Sequence, residues 1–135
     1  MKQIVVPARA ESIPQVTDWA DAALEALGCP LRAQMQIDVA IDEIVSNIAR
    51  CAYPDGEGSL EARLDFDEAA RAVSLTFLDS GVPFDPLQRE DPDVTLPPEA
   101  RGVGGLGIFL VKKTMDAVRY RYENGQNVLR IEKKI

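Results

Sequence analysis

The chain has 135 residues, 46% of them apolar, enough for one buried core, so a single domain spanning 1–135 is expected. Its 22 acidic residues outnumber 15 basic ones for a formal charge of −7, and a diffuse acidic surface repels phosphate backbones, which sets nucleic acid aside as a partner. There is no histidine, the two cysteines (Cys29, Cys51) have no CxxC spacing, and no apolar run approaches the ~20 residues of a membrane span, so zinc sites, histidine-based catalysis and membrane insertion are excluded and a cytoplasmic location with reduced thiols is expected.

Residues 2–6 read as a short strand. Ser12-Ile13-Pro14-Gln15 has the form of a helix start, with Ser12 as cap and Gln15 three residues on. Ile13, Val16, Ala20, Ala23, Leu24 and Leu27 then recur at helical spacing until Gly28 stops the run. A second helix is predicted over about 31–51, with Ile37, Ile41, Ile44, Val45 and Ile48 on one face and Tyr53-Pro54-Asp55-Gly56 as the closing turn. The period next changes to alternation, Leu60, Ala62, Leu64, Phe66 and then Val73, Leu75, Phe77, which predicts an antiparallel pair.

From Asp79 to Arg101 the pattern is lost and five prolines (Pro83, Pro86, Pro92, Pro97, Pro98) sit among acidic residues; so long a loop in a small domain is functional, disordered or both. A third helix is read over 107–115, and Asn124-Gly125 centres a terminal hairpin. The order β-α-α-β-β-loop-α-β-β predicts an α/β two-layer sandwich, with helices on one face of a mixed, mostly antiparallel sheet and a pocket between the layers under the long loop. Basic residues gather late in the chain (Lys112, Lys113, Arg119, Arg121, Arg130, Lys133, Lys134), and a solvated face is the reading favoured for them.

Three segments could carry chemistry. At ~100° per residue Glu43 and Asn47 fall within ~40° of each other, beside the buried stripe of their helix rather than opposite it. An amide oxygen there can complete the coordination of Mg²⁺, and a nearby carboxylate can deprotonate an attacking hydroxyl; two solvent-facing helix residues are the plainer alternative. Asp79, ending a strand before Ser80-Gly81, could accept a hydrogen bond from an exocyclic base amine while Gly81 lets backbone come close, or could simply close an Asx turn. Gly102-Val103-Gly104-Gly105-Leu106-Gly107 matches the dinucleotide fingerprint only superficially, because a proline-rich loop precedes it and an antiparallel hairpin follows. Glycine amides at a helix start can still face an anion, with a flexible hinge as the other reading. Arg101 is a candidate phosphate contact or an exposed loop charge.

Together these motifs resemble the Bergerat-fold (histidine-kinase-like) ATPases, and among them the small bacterial anti-sigma factor serine/threonine kinases of the RsbW and SpoIIAB type. The resemblance rests on Glu43-x-x-x-Asn47, Asp79-x-Gly81, Gly104-Gly105-Leu106-Gly107-Ile108 and Met115-Asp116 before a terminal hairpin. It implies that Asn47 ligates Mg²⁺ on the ATP phosphates and Glu43 is the general base for a serine or threonine hydroxyl. It implies further that Asp79 bonds the adenine amine beside Gly81, and that Gly102, Gly104, Gly105, Leu106 and Gly107, with Arg101, form the lid end and phosphate-facing turn. The implied substrate is a STAS-domain anti-sigma-factor antagonist, in competition with a sigma factor, and the implied assembly a homodimer. The alternative is a nucleotide-dependent binding module that sequesters a regulator without phosphoryl transfer.

Overall fold

The structure, a computed structural model, describes residues 1–88 and 105–135, with backbone alone at 105 and 106. Its elements in chain order are β1 (Lys2–Pro7), α1 (Ile13–Ala26), α2 (Leu31–Cys51), β2 (Ser59–Asp67), β3 (Ala72–Asp79), α3 (Gly105–Thr114), β4 (Ala117–Glu123) and β5 (Gln126–Lys134), with short 3₁₀ turns at Ala10–Ser12 and Pro86–Gln88. The five strands line up as β1-β2-β3-β5-β4.

The expected two-layer sandwich is what forms, and the sheet is antiparallel at all four pairings rather than at most of them. The reason lies in β5. The connection through α3 does return β4 in the direction of β3, but the tight turn at Asn124-Gly125 folds β5 back into the gap between them. Both turn residues have positive φ (54° and 75°), the twist a two-residue hairpin requires.

Pairing register puts Ile4, Ala62, Phe77 and Leu129 in one cross-strand row, and Leu64, Leu75 and Ile131 in the next, all on the face that meets the helices. Against these rows pack Val16, Ala20 and Leu24 of α1, Ile37, Ile41, Ile44 and Val45 of α2, and Val111 and Met115 of α3. Burial of these apolar chains is the main force joining the layers. The α2 stripe is thus core, as its spacing predicts.

Ser12 departs from expectation. It makes no side-chain cap for α1; its hydroxyl donates to Pro7 O at 2.7 Å, because the 3₁₀ turn draws Ser12 inward and ties the end of β1 to the start of α1. The late basic residues disperse: Arg121 and Arg130 pair with Glu123 and Glu132, and Lys133 Nζ donates to Thr114 O at 2.6 Å, closing the C-terminus of α3.

One polar contact interrupts the α1–α2 seam. Asp21 and Asp38 each bury their Oδ1 with no hydrogen-bond donor among the described residues. Burial first, then the hydrogen bond that a protonated carboxyl makes with Asp21, and the charges of Asp21 and Asp18, raise the Asp38 carboxyl from its ordinary 3.8 to about 7. A raised folded-state value means that the protonated form is favoured by folding, so this contribution is whole below about pH 4 and is lost as pH rises towards 7. Chemical denaturation between pH 4 and 8 should therefore show stability declining across that window, and Asp38→Asn should flatten the decline and raise stability at pH 8.

Candidate functional site

At one end of the sheet the inward-facing row turns polar: Asp79 on β3 and Asn127 on β5 are register partners, 5% and 6% exposed. Asn127 Nδ2 donates to Asp79 Oδ1 (2.9 Å) and to Val82 O (2.8 Å), while its Oδ1 accepts from Phe84 N (3.0 Å) and the Tyr120 hydroxyl. Every hydrogen-bonding site of this buried amide is thereby used, and it holds together β3, β4, β5 and the segment after β3. Burial pushes the Tyr120 phenol up, as do the charges of Asp85 and Asp79, against a lowering hydrogen bond at Phe84.

The Asx turn weighed for Asp79 is present, since Gly81 N donates to Asp79 Oδ1 at 2.9 Å. It engages the same oxygen as Asn127. Oδ2 accepts no hydrogen bond from a described residue, and Asp79 lines the cavity between the layers. Turn closure and ligand recognition are therefore compatible in one carboxylate.

Gly81 is held against the end of α2, where a Cβ would lie 2.2 Å from Ala52 O, and Val82 N donates to that same oxygen at 2.8 Å. Only glycine permits this approach. Tyr53 completes the junction: its hydroxyl donates to Ser59 O (2.7 Å) and accepts from Ser80 N (2.9 Å).

On α2, Asn47 is 8% exposed and Glu43 half-buried, so neither is an ordinary surface residue. Asn47 Oδ1 accepts from Arg50 Nη2 at 2.7 Å. Glu43 reaches across to the first turn of α3, where a Cβ on Gly107 would lie 1.9 Å from Glu43 Oε2. The carboxylate thus rests beside a helix N-terminus, whose dipole favours negative charge.

The cavity is lined by Ile44, Ile48, Cys51, Ala52, Phe77, Phe84, Pro86 and Leu129, with Asp79, Asn127 and Asn47 as its polar groups. Its volume is about 30 Å³, room for water but not for a purine. Of the residues singled out in the sequence, Asn47 and Asp79 line this cavity, Gly81 abuts Ala52 in its lining, Glu43 and Gly107 meet each other without lining it, and Gly105 opens α3. Arg101, Gly102, Gly104 and the side chain of Leu106 lie outside the described residues. Asn127, Tyr120, Tyr53 and Arg50 were not foreseen. Among the described residues no group of three or more His, Cys, Asp or Glu side chains could hold a metal ion, and no helix is long and apolar enough to cross a membrane.

The family of histidine kinase-like ATPase domains matches residues 6–133. The chain belongs to that family. Within it, the chain is similar to the serine-protein kinase RsbW of Bacillus thuringiensis, 26% identical over 131 residues that cover 94% of this chain and 81% of that protein. It is similar also to RsbW of Listeria monocytogenes (30% over 109 residues, 76% and 67% of the two chains). The serine/threonine-protein kinase BtrW of Bordetella bronchiseptica is 29% identical over 98 residues, 73% and 68% of the two chains. Membership accounts for the α/β sandwich of this ATPase domain.

Removing Asn127 would leave several buried groups unpaired. Asn127→Ala should cost about 2–3 kcal/mol of stability in denaturant titrations, more than an average surface change, because Asp79, Val82 O and the Tyr120 hydroxyl each lose a partner.

Proposed function

We propose that the chain is an ATP-dependent serine/threonine protein kinase and anti-sigma factor of the partner-switching type. Its substrate is a hydroxyl on a STAS-domain antagonist, and the unphosphorylated antagonist competes with a sigma factor for it. Homodimerisation and a cytoplasmic location belong to the same reading. The observation that carries the proposal is the placement of Glu43, which sits one helical turn from the buried Asn47 and is seated on the N-terminal turn of α3 at Gly107. The names of the similar proteins, serine- and serine/threonine-protein kinases, support it.

Asp79 Oδ2 would accept a hydrogen bond from the adenine amine, with the ring between the apolar walls and the backbone at Gly81 close beside it. Entry of the base requires the cavity to widen. Asn47 fits a magnesium ligand: its neutral amide oxygen already holds the cationic Arg50, and Mg²⁺ takes few protein oxygens when phosphates and water supply the rest. When bound, Mg²⁺ supplies neutralisation of the phosphate charge. The amide groups opening α3 would face the phosphates. Glu43 would take the proton of the acceptor hydroxyl as its oxygen bonds the γ-phosphorus and the bond to the ADP oxygen breaks.

The test is calorimetric titration with ATP and ADP, with and without Mg²⁺, paired with phosphoserine and phosphothreonine detection on purified STAS-domain proteins from the same genome. Asp79→Asn should abolish nucleotide binding and Asn47→Ala should remove its Mg²⁺ dependence. Glu43→Gln should keep the binding and lower transfer by about 10²–10⁴-fold. Binding without transfer by the native chain would leave the sequestering module as the function.

A second variant isolates the seat of the carboxylate. Gly107→Ala can be accommodated when the flexible Glu43 side chain turns away, so its melting temperature should stay close to native while its transfer rate falls towards that of Glu43→Gln.

A further inference from the structure

Every fourth residue of an α-helix advances by only ~40°, so Leu31, Met35, Val39, Glu43 and Asn47 form one continuous, slowly winding ridge along α2. Its C-terminal half holds the residues just described. The other half is apolar and open: Leu31 is 70% exposed, Met35 58% and Val39 48%, and with Leu110 of α3, at 39%, they line a shallow groove of about 550 Å³. Neither helix gains stability from showing these side chains to water, and a contiguous apolar patch of this kind marks a binding surface.

The position of the groove says what covers it. Asp79 shares its cavity with the C-terminal part of α2, and Asn47, Glu43 and then the groove follow one another towards the start of that helix, so a protein that brings a hydroxyl to Glu43 from the side opposite the nucleotide passes over Val39. At 1.5 Å per residue Val39 lies ~6 Å and Leu31 ~18 Å from Glu43 along the axis, a reach of roughly two to six residues of extended chain. Arg32 lines the same groove and has no ion-pair partner among the described residues, so it favours an acidic group on the visitor. A second copy of the chain fixed here would cover the approach to Glu43, which suits the groove to an exchangeable partner.

We propose that this groove is the docking surface for the phosphoacceptor protein, which lays an apolar segment carrying an acidic residue, adjacent to its acceptor hydroxyl, over Val39, Met35 and Leu31. The inference rests on the reading of Glu43 as base and assigns that site its protein-recognition surface.

The test compares the native chain, Met35→Glu/Val39→Glu, and Val5→Glu, which charges an exposed residue of β1, for binding of purified STAS-domain proteins in Mg-ADP and for transfer from Mg-ATP. The double variant should bind the partner at least about tenfold more weakly, with a matching rise in KM for it, while ATP affinity, melting temperature and kcat at saturation stay native; Val5→Glu should behave as native. Native-like partner binding by the double variant would overturn the assignment. So would failure of every STAS-domain protein to bind the native chain, or a native dimer that the double variant converts to monomer, which would make the groove a contact between copies. Partner binding that the double variant loses, without any phosphate transfer by the native chain, would reject the kinase reading and leave the docking surface standing.

Discussion

A helix packed on a sheet is free to rotate only as far as its buried stripe allows, and α2 has almost no freedom. Ile37, Ile41 and Ile44 are at most 1% exposed. Turning the helix by one residue's angle would bring at least one of them into water and drive a polar neighbour into the core, at a cost of roughly 2 kcal/mol for each side chain exchanged. The rotation of α2 is therefore set by hydrophobic packing, and the directions of Glu43 and Asn47 follow from it. No hydrogen bond to the sheet is needed to aim them. The same constraint explains why the apolar part of the outer ridge can persist: its residues contribute nothing to the orientation and are free to serve another surface.

The sheet performs the corresponding task at the far end of the pocket. An antiparallel ladder places Asp79 opposite Asn127 as strictly as it places Phe77 opposite Leu129. The polar pair is one more row of the core, with hydrogen bonds replacing van der Waals contact. With Asn127 and Gly81 N both donating to Oδ1, Asp79 has one oxygen anchored and one that accepts no hydrogen bond from a described residue. A carboxylate anchored through one oxygen keeps its own orientation fixed.

How far the sequence could be read follows from the range of the forces involved. The bounds of α2 and the face that Glu43 and Asn47 share are local properties, governed by a 3.6-residue period and a proline-bearing turn, and they were legible. The hairpin at Asn124-Gly125 was legible because two positive φ angles in succession admit few residue types. Asn127 was not, since an asparagine two positions after that turn looks like part of it; its meaning depends on register with a strand 48 residues earlier. Ser12 misled for a related reason: the helix-start pattern was sound, but Pro7 O, five residues back, competed for the hydroxyl and won. The position of α3 against Glu43 is likewise a tertiary fact, visible only once Gly107 is seen to leave room for the carboxylate. Arg101, Gly102 and Gly104 lie outside the described residues, and the roles expected of them rest on the sequence alone.

The two free thiols give this architecture a built-in reporter. Cys51 stands in the wall of the cavity, and Cys29 lies in the turn between α1 and α2, where burial and the charge of Asp38 raise its thiol. Anything that fills the cavity shields the first from an alkylating reagent and leaves the second untouched, so the ratio of the two labelled peptides measures occupancy within one molecule, independent of protein concentration and without an introduced probe.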